Sequence, residues 1–276
     1  MMRTGLEAQL TSLIGRFQVV RDLTRSHGNA CVLEVTDANG NHWVAKRHGR
    51  VNPWLRELRA YRRWTPALGG HAAVLHSADR TTCTLVLSKL PGTRAPNESA
   101  SHSRAGQLLR ALHTCAPSVP YPDYAADAEG RLDELLRRGS ALLDRREIDF
   151  ARGEVRALRE LPAPSSVPCH LDYAPRNWLI DDAHSLRVID FAGARRQVWV
   201  RDLLRMHFSN WWQRPDLRDA FLDGYGHHPT DAETTLLLRS AAITAVNGIV
   251  RGAEHDLSHV SEGGRQILAR LRTRSP

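Results

Sequence analysis

Residues 169–193 read CHLDYAPRNWLIDDAHSLRVIDFAG, and this stretch decides the fold. Within it the carboxylate of Asp172 precedes the carboxamide of Asn177 across a turn-prone Ala-Pro-Arg segment. Asp190 then ends the apolar run 186–189, which is typical of a buried strand. Two readings follow: a functional site, or a loop in which Asp and Asn cap turns with their own hydrogen bonds.

The composition predicts a two-lobed globular protein. A chain of 276 residues exceeds the usual size of one domain. We find no apolar run near the roughly 20 residues that cross a bilayer, and no signal-peptide pattern at the start. The scattered cysteines form no CxxC pair, which suits a reducing compartment and argues against zinc. We therefore predict a cytoplasmic protein without a membrane partner.

The basic charge does not by itself indicate nucleic-acid binding. The formal net charge is +8, but the arginines are spread along the chain without a nucleic-acid motif. Lys46 and Lys89 are the two lysines in the sequence. Lysine carries a compact charge on a flexible stem, so a lysine retained among so many arginines indicates either a tight pocket that binds a phosphate or an edge-strand charge that prevents aggregation. Lys46, in an extended segment, is the better candidate.

The order of secondary-structure signals predicts an α+β protein. Two β-prone runs, 31–35 and 43–45, flank Asn39-Gly40, a strong hairpin signature. A helical period follows from Pro53. After about residue 98 helical patterns dominate, so we predict a β-rich lobe over residues 1–91 and an α-rich lobe over 92–276. The predicted helices cover residues 101–115, 130–147, 150–160, 200–209, 215–224, 231–252 and 262–272.

The spacing of the polar residues suits phosphoryl transfer. This reaction requires a metal ion and a cation at the phosphates, and a carboxylate that orients the acceptor hydroxyl. In kinases the loop carboxylate lies a few residues before an amide ligand, and a second carboxylate follows after the next strand. Asp172, Asn177 and Asp190 occur in that order. Magnesium prefers such oxygen ligands, so Asn177 and Asp190 are candidate Mg²⁺ ligands.

These residues resemble the aminoglycoside phosphotransferase (APH)/choline kinase family of protein-kinase-like small-molecule phosphotransferases. The family loop reads His-Gly-Asp-x-x-x-x-Asn, followed by Ile-Asp-Phe or Ile-Asp-Trp, and it matches residues 170–177 and 189–191. Leu171 stands where the family usually has Gly. The resemblance implies a bilobal protein-kinase-like fold and transfer from ATP, or GTP, with Mg²⁺. It further implies that Asp172 is the catalytic carboxylate and that His170 braces the loop.

The same resemblance implies a nucleotide site in the N-terminal lobe, which is therefore expected to be the nucleotide-binding lobe. Lys46 would bind the α- and β-phosphates, and Glu57 would pair with it. The backbone of residues 88–90 would form the hinge at the base. The small polar link 26–30 would lie near the ligand. The candidate nucleotide-binding residues are Lys46, Glu57, Ser88, Lys89, Leu90, Gly28 and Asn29.

The acceptor is expected to bind the C-terminal lobe, which is therefore also the catalytic lobe. Acidic side chains beyond residue 200 would suit a cationic antibiotic, which indicates antibiotic inactivation or self-resistance. Each acceptor candidate has an alternative interpretation. Arg176 faces either the acceptor or solvent, and the Trp211–Trp212 pair forms either a pocket wall or packing. The acidic side chains are either acceptor ligands or partners of nearby arginines.

The alternative functions are a metabolic kinase of choline, a sugar or homoserine, and a nucleotide-binding pseudokinase. We expect a monomer or homodimer without nucleic acid. The candidate acceptor residues are Arg176, Trp211, Trp212, Asp216 and Asp219.

Overall fold

The computed structural model describes residues 2–25 and 30–273. Its strands are β1 (Phe17–Asp22), β2 (Ala30–Asp37), β3 (His42–His48), β4 (Leu75–Asp79), β5 (Thr84–Ser88), β6 (Thr93–Arg94), β7 (Val119–Pro120), β8 (Ser165–Cys169), β9 (Trp178–Ile180), β10 (Leu186–Val188) and β11 (Arg195–Gln197). Its α-helices are α1 (Met2–Ile14), α2 (Val51–Arg63), α3 (Ser99–Thr114), α4 (Tyr124–Gly139), α5 (Arg145–Arg156), α6 (Leu204–Phe208), α7 (Pro215–Tyr225), α8 (Asp231–Glu254) and α9 (Ser258–Arg272).

The N-terminal sheet is antiparallel, with the strand order β1-β2-β3-β5-β4. The predicted hairpin joins β2 to β3, and Gly40 takes the left-handed backbone conformation that its turn requires, at φ 81°. The Asp37 carboxylate closes this turn by accepting hydrogen bonds from the backbone N–H groups of Asn39 and Asn41, each at 2.9 Å. Side-chain hydrogen bonds from Asn41 and Trp43, aided by these backbone donors, lower the pKa of Asp37 to about 2.

Helix α1 covers one face of the N-terminal sheet. Leu6 and Leu10 of α1 pack on Leu33, Val35 and Ala45. Successive side chains of a strand point to opposite faces, so the residues between these face the other way. In the register of β2 and β3 the opposite face carries Val32 beside Lys46 and Glu34 beside Val44. Lys46 and Glu34 are therefore on the face away from α1.

The described residues pack into two compact units. The first comprises Met1–Ala116, Pro168–Arg196 and Arg214–Gly226, and the second comprises Pro117–Val167, Gln197–Gln213 and His227–Pro276. The first unit holds the N-terminal sheet, α2, α3, α7 and a small sheet ordered β10-β9-β6. In the second unit α8 packs against α4, α5 and α9. The predicted division at residue 91 stays a prediction.

Several predicted helices are wrong in extent, because α5 begins at Arg145 and not at residue 150, and α6 covers only Leu204–Phe208 of the predicted 200–209. The helix predicted over 130–147 is two helices, because α4 ends at Gly139 and α5 begins at Arg145. The break is stabilised by a capping box: Asp144 accepts from the backbone N–H of Glu147 at 2.7 Å, and Glu147 accepts from that of Asp144 at 2.9 Å. Among the helices of residues 2–25 and 30–273, none has the length and apolarity to span a bilayer.

The close packing of α3 against α7 depends on glycine. A Cβ atom on Gly224 would collide with the carbonyl oxygen of Ser103, whereas one on Gly130 of α4 would meet no atom within 4 Å. We expect Gly224→Ala to lower the free energy of unfolding by roughly 1–3 kcal/mol through overpacking, measured by urea denaturation. Gly130→Ala, the matched control, should gain up to about 1 kcal/mol from helix propensity. Equal stabilities of the two variants would show that the contact is unimportant.

Candidate active site

A buried charged cluster centres on Lys46, on the face of β3 that points away from α1. The Lys46 ammonium donates to Asp190 Oδ1 at 2.7 Å and lies 3.0 and 2.8 Å from the two carboxylate oxygens of Glu57. Burial acts to lower the pKa of Lys46, but these two carboxylates raise it above its usual value, so the side chain stays charged. Burial likewise acts to raise the pKa of Asp190, and the Lys46 ammonium holds it below its usual value.

Glu57 connects helix α2 to strand β3 and to the turn that carries Asp190. Its side chain is completely buried, and its Oε1 accepts a hydrogen bond from the backbone N–H of Phe191 at 3.1 Å. A buried carboxylate is tolerated only when its oxygens have partners. The partners here come from β3 and from the residue after Asp190. Glu57 thus fixes α2 relative to the strand and to the turn that carries Asp190.

Asp190 has a left-handed backbone conformation and lies two residues beyond the end of β10. Its backbone has φ 70° and ψ 68°, a region that Asp enters more readily than most other non-glycine residues. The next residue, Phe191, is fully buried, and its ring lies 4.7 Å from that of His170 and 5.4 Å from that of Tyr61. This packing fixes the turn and directs the Asp190 carboxylate to Lys46.

The His170 side chain holds the loop that begins at this residue through two hydrogen bonds to backbone groups. His170 Nε2 donates to the carbonyl oxygen of Ile189 at 3.1 Å, and its Nδ1 accepts from the backbone N–H of Asp172 at 3.2 Å. The carbonyl has no proton to donate, so the ring is assigned the tautomer with hydrogen on Nε2. Leu171 has φ 61°, a conformation that favours glycine. His170 therefore ties the loop to the segment that ends in Asp190.

The carboxylate of Asp172 is held on both of its oxygens. Asn177 Nδ2 donates to Asp172 Oδ2 at 3.0 Å and to the Asp172 carbonyl oxygen at 2.8 Å. The Arg176 guanidinium donates to Oδ1. Asn177 is completely buried, whereas the side chains of Arg176 and Asp172 keep 31% and 26% of their exposure. Arg176 is thus the partner of Asp172 that is open to exchange.

Two side-chain oxygens in this cluster suit a hard cation. Asp190 Oδ1 accepts from Lys46, and Asn177 Oδ1 accepts a long hydrogen bond of 3.5 Å from Arg25. Both oxygens are therefore already oriented toward cationic groups. A carboxylate and an amide oxygen are ligands that Mg²⁺ accepts in proteins. The backbone joins the two residues, since Ile189 N–H donates to the carbonyl oxygen of Asn177 at 3.0 Å.

The predicted hinge residues lie at the end of β5. Ser88 Oγ accepts from the backbone N–H of Val74 at 2.9 Å, and the Lys89 backbone N–H donates to the carbonyl oxygen of His42 at 3.1 Å. The Lys89 ammonium pairs with the buried Glu34 at 2.5 Å. Leu90 follows and is half-buried. Gly28 and Asn29 lie outside the described residues.

Of the predicted acceptor residues, Arg176 contacts the carboxylate of Asp172. Asp216 pairs with Arg214 at 2.7 Å, and Asp219 pairs with Arg218 at 2.8 Å, so both carboxylates are engaged by neighbouring arginines.

The predicted tryptophan pair takes part in packing in the second unit. Trp211 is buried, and the Arg270 guanidinium lies 4.2 Å from the centre of the Trp212 ring. These contacts support the packing interpretation of the tryptophan pair.

Sequence reasoning missed two residues of the cluster, His48 and Arg25. His48 follows Lys46 by two positions on a strand, so the strand period alone places both on one face. No pattern in the sequence distinguishes Arg25 from the many other arginines. Its position follows from the fold.

Fold and site together define a kinase-like phosphotransferase of small molecules. The sequence matches the phosphotransferase enzyme family (APH) over residues 24–237, so the chain belongs to this family. This agrees with the resemblance on residues 170–177 and 189–191. Among curated proteins, none matches the sequence.

Solved structures with low sequence identity share the fold. Aminoglycoside phosphotransferase APH(4)-Ia has a TM-score of 0.77 at 14% identity, covering 99% of this chain and 100% of that one. A choline/ethanolamine kinase family protein from Mesorhizobium loti has a TM-score of 0.71 at 20% identity, covering 100% and 96%. Macrolide 2'-phosphotransferase MphH from Brachybacterium faecium has a TM-score of 0.64 at 16% identity, covering 96% and 98%. The predicted fold, an N-terminal antiparallel sheet followed by a helical C-terminal part, is confirmed.

Proposed function

We propose that the chain transfers the terminal phosphoryl group of ATP, or of GTP, to a hydroxyl group of a small cationic antibiotic. The observation that carries this proposal is the cluster in the first unit. It combines Lys46 with Asp190, and it combines Asn177 with Asp172, while the Ile189–Asn177 backbone hydrogen bond joins the two pairs. Phosphoryl transfer depends on positioning and charge stabilisation, which such a cluster supplies.

Each residue of the cluster has a proposed task. Lys46 binds phosphate oxygens, and Glu57 orients the Lys46 ammonium. Asp172 orients the acceptor hydroxyl and accepts its proton late in the reaction. Asn177 and Asp190 would hold Mg²⁺, which neutralises charge on the phosphate oxygens when it is bound.

The remaining candidates complete the proposal. His170 keeps the loop in register, and Arg176 lies on the acceptor side of Asp172. The backbone of Ser88, Lys89 and Leu90 meets the base, while Gly28 and Asn29 stay nucleotide-binding candidates from the sequence. Because Arg176 holds Asp172 Oδ1, it must release this oxygen or share it when the acceptor hydroxyl binds. An exposed guanidinium is also well suited to a phosphoryl oxygen.

The choice of acceptor rests on the structural relatives. APH(4)-Ia has been solved in ternary complexes with ADP or AMP-PNP and hygromycin B, and APH(2")-IIa has been solved with gentamicin. Both antibiotics are cationic amino sugars. The acidic side chains of the C-terminal part add little support for a cationic acceptor, because Asp216, Asp219 and Glu254 pair with arginines. The likeness to the choline/ethanolamine kinase family protein favours a second candidate, a metabolic kinase.

Mass spectrometry of acceptors tests the proposal. Purified protein with Mg²⁺ and ATP or GTP is incubated with aminoglycosides, macrolides, choline, homoserine and a sugar, and reactions without nucleotide serve as controls. We expect one antibiotic to gain a single phosphate. A gain on choline, homoserine or the sugar would instead identify the metabolic kinase. Tight nucleotide binding without any phosphorylated product would contradict phosphotransfer to these acceptors and support the pseudokinase.

A further inference from the structure

His48, the last residue of β3, contacts the same carboxylate as Lys46. The two side chains lie on one face of the strand because they are two positions apart. His48 keeps only 5% of its exposure, and its Nε2 lies 2.7 Å from Glu57 Oε2. The ring nitrogen and this oxygen are close without the alignment of a hydrogen bond. The contact is therefore a close approach of a ring nitrogen to the carboxylate at ion-pair distance.

The charged and titratable groups nearest to this contact come from β3, from α2 and from the turn after β10. Lys46 lies beside His48 on β3, Glu57 and Tyr61 project from α2, and Asp190 lies in the turn after β10. Burial and the two carboxylates raise the pKa of the Tyr61 phenol well above its usual value, so this group stays neutral. One ammonium thus faces two carboxylates, Arg25 and His170 act electrostatically on Asp190, and His48 is the ring that approaches Glu57.

Apart from Lys46, each carboxylate oxygen of Glu57 has one neighbouring polar group. Oε1 keeps the backbone N–H of Phe191 at 3.1 Å, and Oε2 keeps His48 at 2.7 Å. Lys46, in contrast, divides its ammonium between Glu57 and Asp190. An ammonium that turns to a phosphate weakens its bonds to these carboxylates. A buried oxygen that loses its partner carries a desolvation penalty, and His48 is the group that stays within 2.7 Å of Oε2.

We propose that His48 is a positioning residue that holds Glu57 in place while Lys46 binds the nucleotide phosphates. The inference rests on the proposed function, since it assigns Lys46 to phosphate binding. Without His48, Glu57 Oε2 would either pull Lys46 back from the phosphates or rotate away from the cluster. Both outcomes weaken nucleotide binding more than they weaken acceptor binding. His48 thereby acts through Glu57 and Lys46 and does not touch the reacting atoms.

Calorimetric titration with AMP-PNP and Mg²⁺ tests this proposal without an acceptor. His48→Leu is expected to raise the Kd for AMP-PNP about tenfold, as expected for the loss of one partner of a buried charge. His48→Gln retains an N–H donor and should recover most of the affinity. His42→Leu, at the exposed start of the same strand, is the matched control and should leave the Kd unchanged. The acceptor KM should change little in any of the three.

The possible results separate this inference from the proposed function. Wild-type protein that binds neither AMP-PNP nor GMP-PNP would contradict the proposed function itself. Wild-type binding together with equal affinity in His48→Leu would overturn the role of His48 alone. If His48→Leu does not fold, His48→Gln and His48→Asn replace it as the pair, because the shorter Asn does not reach Glu57 to the same extent. Equal affinities of these two variants would also overturn the inference.

Discussion

Asp172→Ala is expected to lower kcat for phosphoryl transfer by about 10²–10⁴-fold, the range for removal of a general base. The Asp172 carboxylate is partly exposed and held by Asn177 and Arg176, which fits a group that orients a hydroxyl and takes its proton. Nucleotide binding should persist, because Lys46, Glu57 and Asp190 keep their mutual contacts. Initial rates with the identified acceptor, together with the Kd for AMP-PNP, measure the two effects separately.

Asp182→Ala is the matched control for this variant. Asp182 is an exposed carboxylate in the turn between β9 and β10, close in sequence to the loop that contains Asp172. Its removal should leave kcat unchanged. Unchanged transfer in Asp172→Ala would rule out Asp172 as the group that orients the acceptor. Loss of AMP-PNP binding in the same variant would show that Asp172 supports the nucleotide site instead.

Local sequence signals predicted the elements that carry the site. Asn39-Gly40 permits the tight turn between β2 and β3, and the Asp172-to-Asn177 spacing matches the loop that His170 braces. These features depend on neighbours in the chain, so they are readable before folding. Helix α1 was missed, although Leu6, Leu10, Leu13 and Ile14 have a helical period and pack on the sheet. Its isolated sequence does not reveal which surface it covers.

Contacts between residues far apart in the sequence account for the parts of the site that the sequence did not predict. The pairing of Asp216 with Arg214 lies within the reach of sequence reasoning, since an arginine stands two residues away. The contact of His48 with Glu57 does not, because it depends on how α2 approaches the sheet. The same holds for Arg25, which lies 152 positions from Asn177 along the chain. Tertiary packing, rather than local propensity, decides which charged groups share a buried site.

Lys46→Met is expected to impair stability and activity together. The variant leaves Glu57 and Asp190 without their shared ammonium, and breaking a buried ion pair in this way costs about 3–5 kcal/mol of unfolding free energy. Phosphoryl transfer should fall by about 10²–10³-fold, the range for loss of one charge-stabilising donor. Lys89→Met is the control for stability: its partner Glu34 keeps a contact with Arg21 at 3.1 Å, so the loss should be smaller.

The pH dependence of this loss identifies its cause. In the wild-type protein the pKa of Asp190 lies below its usual value of 3.8, so the ion pair stabilises the fold above about pH 4 and is lost only as the pH falls through the folded-state pKa. In Lys46→Met, burial without the ammonium raises the pKa of Asp190. The folded variant then binds a proton at Asp190 more tightly than the unfolded chain does. The variant therefore loses stability as the pH rises. Urea denaturation at about pH 5 and about pH 8 should therefore show a larger difference between wild type and variant at the higher pH. An equal difference at both pH values would mean that lost packing of the Lys46 stem, and not the uncompensated carboxylate, destabilises the variant.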